Sequence, residues 1–120
     1  MPQIQKKTVA PGIVIMEVSG RIVLGNECLH VEWTLDELIA GNHKKVVLDL
    51  SKLEYVDSVG IGIIVTRCGQ MESAGGEIRI ASMKPRVEEL VRTAKLHRIL
   101  KVYPTVDEAL ESFTAPPSQS

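Results

Sequence analysis

Two short apolar runs, held apart by one helix length of chain, constrain this sequence more than any other feature. Lys45-Val46-Val47-Leu48-Asp49-Leu50 and Glu77-Ile78-Arg79-Ile80-Ala81 are compact and rich in β-branched residues, as strands buried within a sheet are. Between them, Ile61, Ile64, Val65 and Cys68 recur at helical spacing, in a segment that starts near Asp57-Ser58 and closes at Gly75-Gly76. Two strands of one sheet joined through a helix run parallel, with a right-handed crossover. The rest of the chain must cover that unit.

Residues 4–9 and 13–19 flank Ala10-Pro11-Gly12, two strand-like runs about a turn signal, and so predict an opening hairpin. Gly20 and Gly25 bracket an irregular or extended piece containing Arg21 and Ile22. Asn26 offers an N-cap to a first helix, with Cys28, Val31, Leu35, Leu38 and Ile39 inward and Gly41-Asn42 at its end. Residues 51–56 lead from the central strand into the second helix. Pro85, favoured at a first helical position, opens a third helix with Val87, Leu90, Val91 and Ala94 on one face. Residues 99–103 form a last strand. Thr105-Val106-Asp107-Glu108 is a capping box for a final helix that turns Val106, Ala109, Leu110 and Phe113 inward. The order β-β-α-β-α-β-α-β-α predicts an α/β (α+β) domain, a mixed four- to five-stranded sheet with about four helices mainly on one face. At 120 residues there is room for one domain, residues 1–114, and a flexible tail at 115–120 containing Pro116-Pro117.

Charge and motif content exclude several classes of function. The net charge is −1 with acids and bases interspersed, so neither nucleic acid nor an anionic membrane surface is an expected partner. The longest apolar runs, such as residues 61–65, are far too short to insert in a bilayer, and the first residues lack the apolar core of a signal peptide. A cytoplasmic protein is the expectation. Cys28 and Cys68 are far apart among apolar neighbours and read as reduced core residues. His30, His43 and His97 fall in three separate elements, so no metal site, cofactor or catalytic set is expected. There is no GxGxxG opening a helix, no GxxxxGK[ST], no GxSxG and no HExxH. A binding protein, not an enzyme, is the expectation.

The informative segment is residues 49–62, just past the carboxyl end of the central strand, where open α/β sheets place functional groups. Either Asp57 or Ser58 could cap the free N–H groups of the second helix, a purely structural role. The same helix carries a second apolar stripe, Val59, Gly62, Ile63 and Thr66, nearly opposite its core stripe and beginning beside Ser58. Gly60 and Gly62 weaken a helix by about 1 kcal/mol each relative to alanine, a cost that close approach of a neighbour would explain. That neighbour could be a helix of the same domain or a partner protein. Trp33 points away from the first helix's core stripe, which suits an interface anchor or a residue lying against a loop.

Residues 46–50 followed by Tyr55-Val56-Asp57-Ser58-Val59-Gly60-Ile61-Gly62 resemble the signature of STAS domains in bacterial anti-sigma-factor antagonists: an apolar strand, a short linker, then Asp-Ser-[Ser/Thr]-Gly-[Leu/Ile]-Gly. The resemblance extends over residues 4–113. It implies a STAS-like fold and a phosphoacceptor serine at Ser58. It also implies a partner-binding surface around Asp57, Ser58, Val59, Gly60, Gly62, Ile63 and Thr66. The implied partner is an anti-sigma factor that is itself a serine kinase with a GHKL-type ATP site, released when Ser58 is phosphorylated; a phosphatase would restore binding. Two positions depart from the pattern: Val59 stands where Ser or Thr is usual, and Val23 where many relatives carry aspartate. They leave open an alternative, a STAS scaffold subunit of a larger signalling or transport assembly that is never phosphorylated.

Overall fold

The computed structural model describes residues 3–23, 26–41 and 43–114, without the side chains of Asn26, Glu27 and Thr114. The chain opens on an antiparallel hairpin, β1 (Gln3–Ala10) and β2 (Ile13–Ile22), turned by Gly12 at φ +78°. Then follow α1 (Asn26–Ala40), β3 (Lys45–Asp49), β4 (Leu53–Val56), α2 (Ser58–Ser73) and β5 (Glu77–Ala81). After α3 (Pro85–Thr93) and a 3-10 turn (Leu96–Arg98), the described residues close with β6 (Lys101–Tyr103) and α4 (Val106–Thr114). The sheet order is β1-β2-β3-β5-β6, with β4 paired to the far end of β2. Every pairing other than β1–β2 is parallel.

Strand side chains alternate between faces, so the two faces carry separate cores. Met16, Leu48 and Ile80 pack with Leu35, Leu38, Ile64, Met71, Val87 and Val91, which places α1, α2 and α3 on one face. Val47 and Ala81 point to the other face, where Ala109, Leu110 and Phe113 of α4 cover them. Each fully buried leucine-sized side chain stabilises by about 1.5–3 kcal/mol. The larger core therefore sits under the three-helix layer.

Among the described residues six strands form where four or five were expected. The additional one, β4, lies in the segment read as a lead-out; it is four residues long and shows no inside-outside alternation, with Leu53 and Val56 buried and Glu54 and Tyr55 exposed. Of the two forms expected for the piece containing Arg21 and Ile22, irregular or extended, it takes the extended one: β2 runs on through both residues, because Gly20 accepts φ +90° where the ladder shifts register between Gly20 and Arg21. Ala94 is exposed at the end of α3, not on its core face. Thr105 does cap α4, its Oγ1 accepting from the Glu108 amide at 3.1 Å. The expected roles of Gly25 and Asn42, the capping side chain of Asn26, and the tail at 115–120 lie outside the described residues.

A half-buried cluster ties α4 to the sheet. The Arg79 guanidinium lies 4.1 Å from the centroid of Phe113 and 5.8 Å from that of Tyr103, and donates to Ser112 and Glu77. Glu77 also accepts from Lys101 Nζ at 2.6 Å. Partial burial works against the Glu77 carboxylate, but Lys101 and Arg79 outweigh it and hold its pKa below the ordinary value. A carboxylate with a depressed folded pKa contributes stability that is present above the unfolded pKa, about 4.3, and lost as pH falls through the lower folded value. Urea unfolding followed from pH 7 to pH 3 should therefore show part of the acid loss of stability vanish in Glu77→Gln; an unchanged acid limb would contradict the cluster's role.

Candidate functional site

The chain reaches Ser58 through a broken strand. After β3, Asp49 Oδ1 accepts from the Ser51 amide at 3.0 Å and Leu50 O accepts from the Leu53 amide at 3.1 Å, a tight turn built by the Asp-Leu-Ser-Lys sequence. The strand then resumes as β4, now beside the far half of β2, in the register Gly20↔Leu53, Arg21↔Tyr55, Ile22↔Val56. One further rung follows: the Asp57 amide donates to Ile22 O at 3.1 Å. Asp57 is extended there (φ −94°, ψ 179°) and caps α2, its Oδ1 accepting from the Gly60 amide at 2.9 Å. Of the two candidate caps, Asp57 takes the role. Ser58 becomes the first helical residue, exposed, and its hydroxyl makes no hydrogen bond among the described residues.

The two glycines that follow have opposite surroundings. A Cβ on Gly60 would lie 2.7 Å from Ile22 Cγ2 and 2.7 Å from Val56 Cγ2, so the helix start is wedged against the ends of β2 and β4. Gly60 is thus a buried contact of the domain's own strands. A Cβ on Gly62 would meet nothing within 4 Å. Of the residues expected on the outer face, Val59 (43% exposed), Gly62 and Thr66 do face outward. Ile63 is half-buried against the main core, turned to the same interior as Gly60. The inward stripe consists of Ile61, Ile64 and Met71, with Val65 and Cys68 at its margin.

Contacts distant in sequence complete the surroundings. Arg67 joins α2 to α1 through Glu32 at 2.6 Å and Asp36 at 2.8 Å. The hydrogen bond that Arg67 donates to Asp36 raises the Arg67 pKa further, against the effect of burial. Beyond that bridge, α1 exposes Leu29 (51%) and Trp33 (70%) while Cys28, Val31, Leu35 and Leu38 are buried, the outward placement that helical spacing predicts for Trp33. A groove of about 340 Å³ opens beside Ser58, with Tyr55 and Asp57 on one side and Arg86, Glu89 and Thr93 of α3 on the other. Arg21 stacks over the Tyr55 ring at 5.2 Å, and Lys84 pairs with Glu54. Neither Tyr55 nor Arg86 is signalled by any spacing in the sequence.

Other titratable side chains lie away from this groove or are committed to partners among the described residues. A larger cleft of about 520 Å³ lies near His97 and Tyr103, but its Glu88 and Arg92 are paired with each other at 3.3 Å. His30, His43 and His97 lie on α1, before β3 and in the 3-10 turn. Burial pushes the Cys68 thiol up to about 12, so it stays protonated and unreactive at neutral pH. Cys28 is buried, its Sγ 2.9 Å from Val23 O. Among the described residues no group of three His, Cys, Asp or Glu side chains is placed to hold a metal.

A family model described as the STAS domain matches residues 5–109. The chain belongs to the STAS domain family. A Thermotoga neapolitana protein, provisionally assigned as an anti-sigma factor antagonist, is 34% identical over 99 residues, covering 82% of this chain and 88% of that one. An anti-sigma F factor antagonist of Paenibacillus polymyxa is 29% identical over 100 residues, covering 82% and 85%. The crystal structure of a Thermotoga maritima protein with the same provisional assignment superposes with a TM-score of 0.84 at 29% identity, over 93% of this chain and 95% of that one. The mixed sheet with its helix layer is the STAS fold expected from the sequence. In this STAS domain the Asp-Ser-x-Gly-x-Gly signature is a cap, an exposed hydroxyl and a buried wedge, in that order. Gly60→Ala should therefore destabilise by about 1–3 kcal/mol through overpacking. Gly62→Ala, in open space, should stabilise by up to about 1 kcal/mol. Urea denaturation of both variants checks the contrast, and equal effects would contradict it.

Proposed function

We propose that this STAS domain is an anti-sigma-factor antagonist, a binding switch that holds an anti-sigma factor and releases it when Ser58 is phosphorylated. The single observation that carries this is the exposed Ser58 hydroxyl, without a hydrogen bond among the described residues, on a helix start pinned to the sheet. The name of the Paenibacillus polymyxa relative supports the partner class. The partner's docking surface would take in Asp57, Ser58, Val59, Gly62 and Thr66, with Gly60 and Ile63 shaping it from beneath. A partner with a GHKL-type ATP site would supply the phosphoryl group: the Ser58 Oγ–P bond forms as the bond to the β,γ-bridging oxygen breaks, ADP leaves, and a base on the partner takes the hydroxyl proton. A phosphatase would hydrolyse the ester and restore binding.

Magnitudes favour a switch of this kind. Phosphate adds about −1.5 to −2 charges. On the domain it stays solvated and lies at a helix N-terminus, which favours an anion. Under a docked protein it would have to be desolvated beside the Asp57 carboxylate, at a cost of several kcal/mol. The domain keeps its fold and the complex loses its affinity. No helix among the described residues is long and apolar enough to cross a membrane.

The exposed Leu29 and Trp33 favour one second reading, a permanently assembled scaffold subunit that is never phosphorylated. Titration of the anti-sigma partner with wild type, Ser58→Ala and Ser58→Asp separates the two. The switch requires Ser58→Asp to weaken binding by about 3 kcal/mol, roughly hundredfold in Kd. It also requires Ser58→Ala to bind normally while refusing phosphate from the partner and ATP. Equal affinity of all three proteins would leave the scaffold.

A further inference from the structure

The groove beside Ser58 contains a cation with no evident task in the unmodified protein. Basic side chains nearby are otherwise committed: Lys84 to Glu54, Arg21 to the face of Tyr55, and Arg92 to Glu88. Arg86, at the second position of α3, makes no hydrogen bond or ion pair among the described residues, although it lines the same 340 Å³ space as Ser58. It is exposed and keeps the full reach of its side chain. A guanidinium presents a planar fork of donors that matches phosphate oxygens two at a time.

We infer that Arg86 is the built-in counter-charge for a phosphate monoester on Ser58 Oγ, so that α3 forms the second wall of a phosphoserine seat. The inference rests on Ser58 being the phosphoacceptor. The electrostatic setting makes the cation necessary. Asp57 stands next to Ser58 at the head of α2, Glu89 faces the groove one turn along α3, and Tyr55 contributes a phenol from β4. Two carboxylates and a phosphate in one groove disfavour the dianion, whose second pKa is ordinarily about 6. Arg86 offsets that repulsion and draws the phosphate toward α3. The modified protein then presents a dianion at neutral pH, fixed at one place at the edge of the docking surface. Phosphorylation would thereby alter the groove as well as the outer face of α2.

The test installs phosphoserine at position 58 during translation, independently of any kinase, and follows the phosphorus resonance as a function of pH. In the full chain, Arg86→Gln should raise the second pKa of the phosphate by about half a unit, the scale of an exposed opposite charge nearby. Arg86→Lys should recover most of the shift, and Glu89→Gln should move the pKa the other way by removing a like charge. Identical titrations for wild type and Arg86→Gln would overturn the role of Arg86. Because the phosphate is placed without a kinase, that result is separate from a kinase assay in which Ser58 fails to be labelled, which would remove the phosphoacceptor and leave the charge pairing intact.

Discussion

The Ser58 site depends on one strand serving two neighbours. β2 pairs with β3 along residues 13–17 and then, past the kink at Gly20, with β4 along residues 20–22. The second ladder ends on the bond from the Asp57 amide to Ile22 O, and Gly60 closes against Ile22 and Val56 immediately above it. Backbone pairing and side-chain packing thus hold the first turn of α2 at the same point. Without the β4 segment, the helix would start from a loose connection, and the position of Ser58 would vary with it.

That anchoring lets two adjacent polar residues divide their labour. The N-terminus of a helix leaves N–H groups without partners, and an aspartate or serine at the cap satisfies one of them at a gain of about 1 kcal/mol. Asp57 does so through Gly60, and the bond consumes one carboxylate oxygen. Ser58 is left out of the cap, so a covalent change at its hydroxyl removes no hydrogen bond among the described residues. A group that the domain does not need, held rigidly at its surface, is well placed for a signal read by another protein. The outer face of α2 continues the same surface through Val59, Gly62 and Thr66, with Trp33 and Leu29 exposed beyond the Arg67 bridge.

Much of this was legible in the sequence because it is local. The β-branched runs at 45–50 and 77–81, the proline opening α3, the threonine capping α4 and the outward Trp33 all follow from periodicity and end signals within a few residues. β4 was not legible, because four residues with an in-out-out-in pattern carry no strand period and form a strand only because β2 offers an edge. Nor were Gly60 and Gly62 distinguishable. They are identical residues two positions apart on one helix, and only the tertiary approach of Ile22 makes one a wedge and leaves the other open. The same holds for Arg86 and Tyr55, brought to the groove by the docking of α3 near β4, and for Arg67, whose acidic partners lie more than thirty positions away.

The central claim is that the helix start beneath Ser58 is rigid and indifferent to what the hydroxyl carries. Native-state hydrogen exchange at the amides of Asp57 and Gly60 addresses it most directly, measured on the unmodified chain and on the chain carrying phosphoserine at 58. The expected result is exchange at both amides only through global unfolding, with the same opening free energy in the two proteins. Exchange through a local opening well below the global stability, or protection that is lost once the phosphate is present, would contradict it.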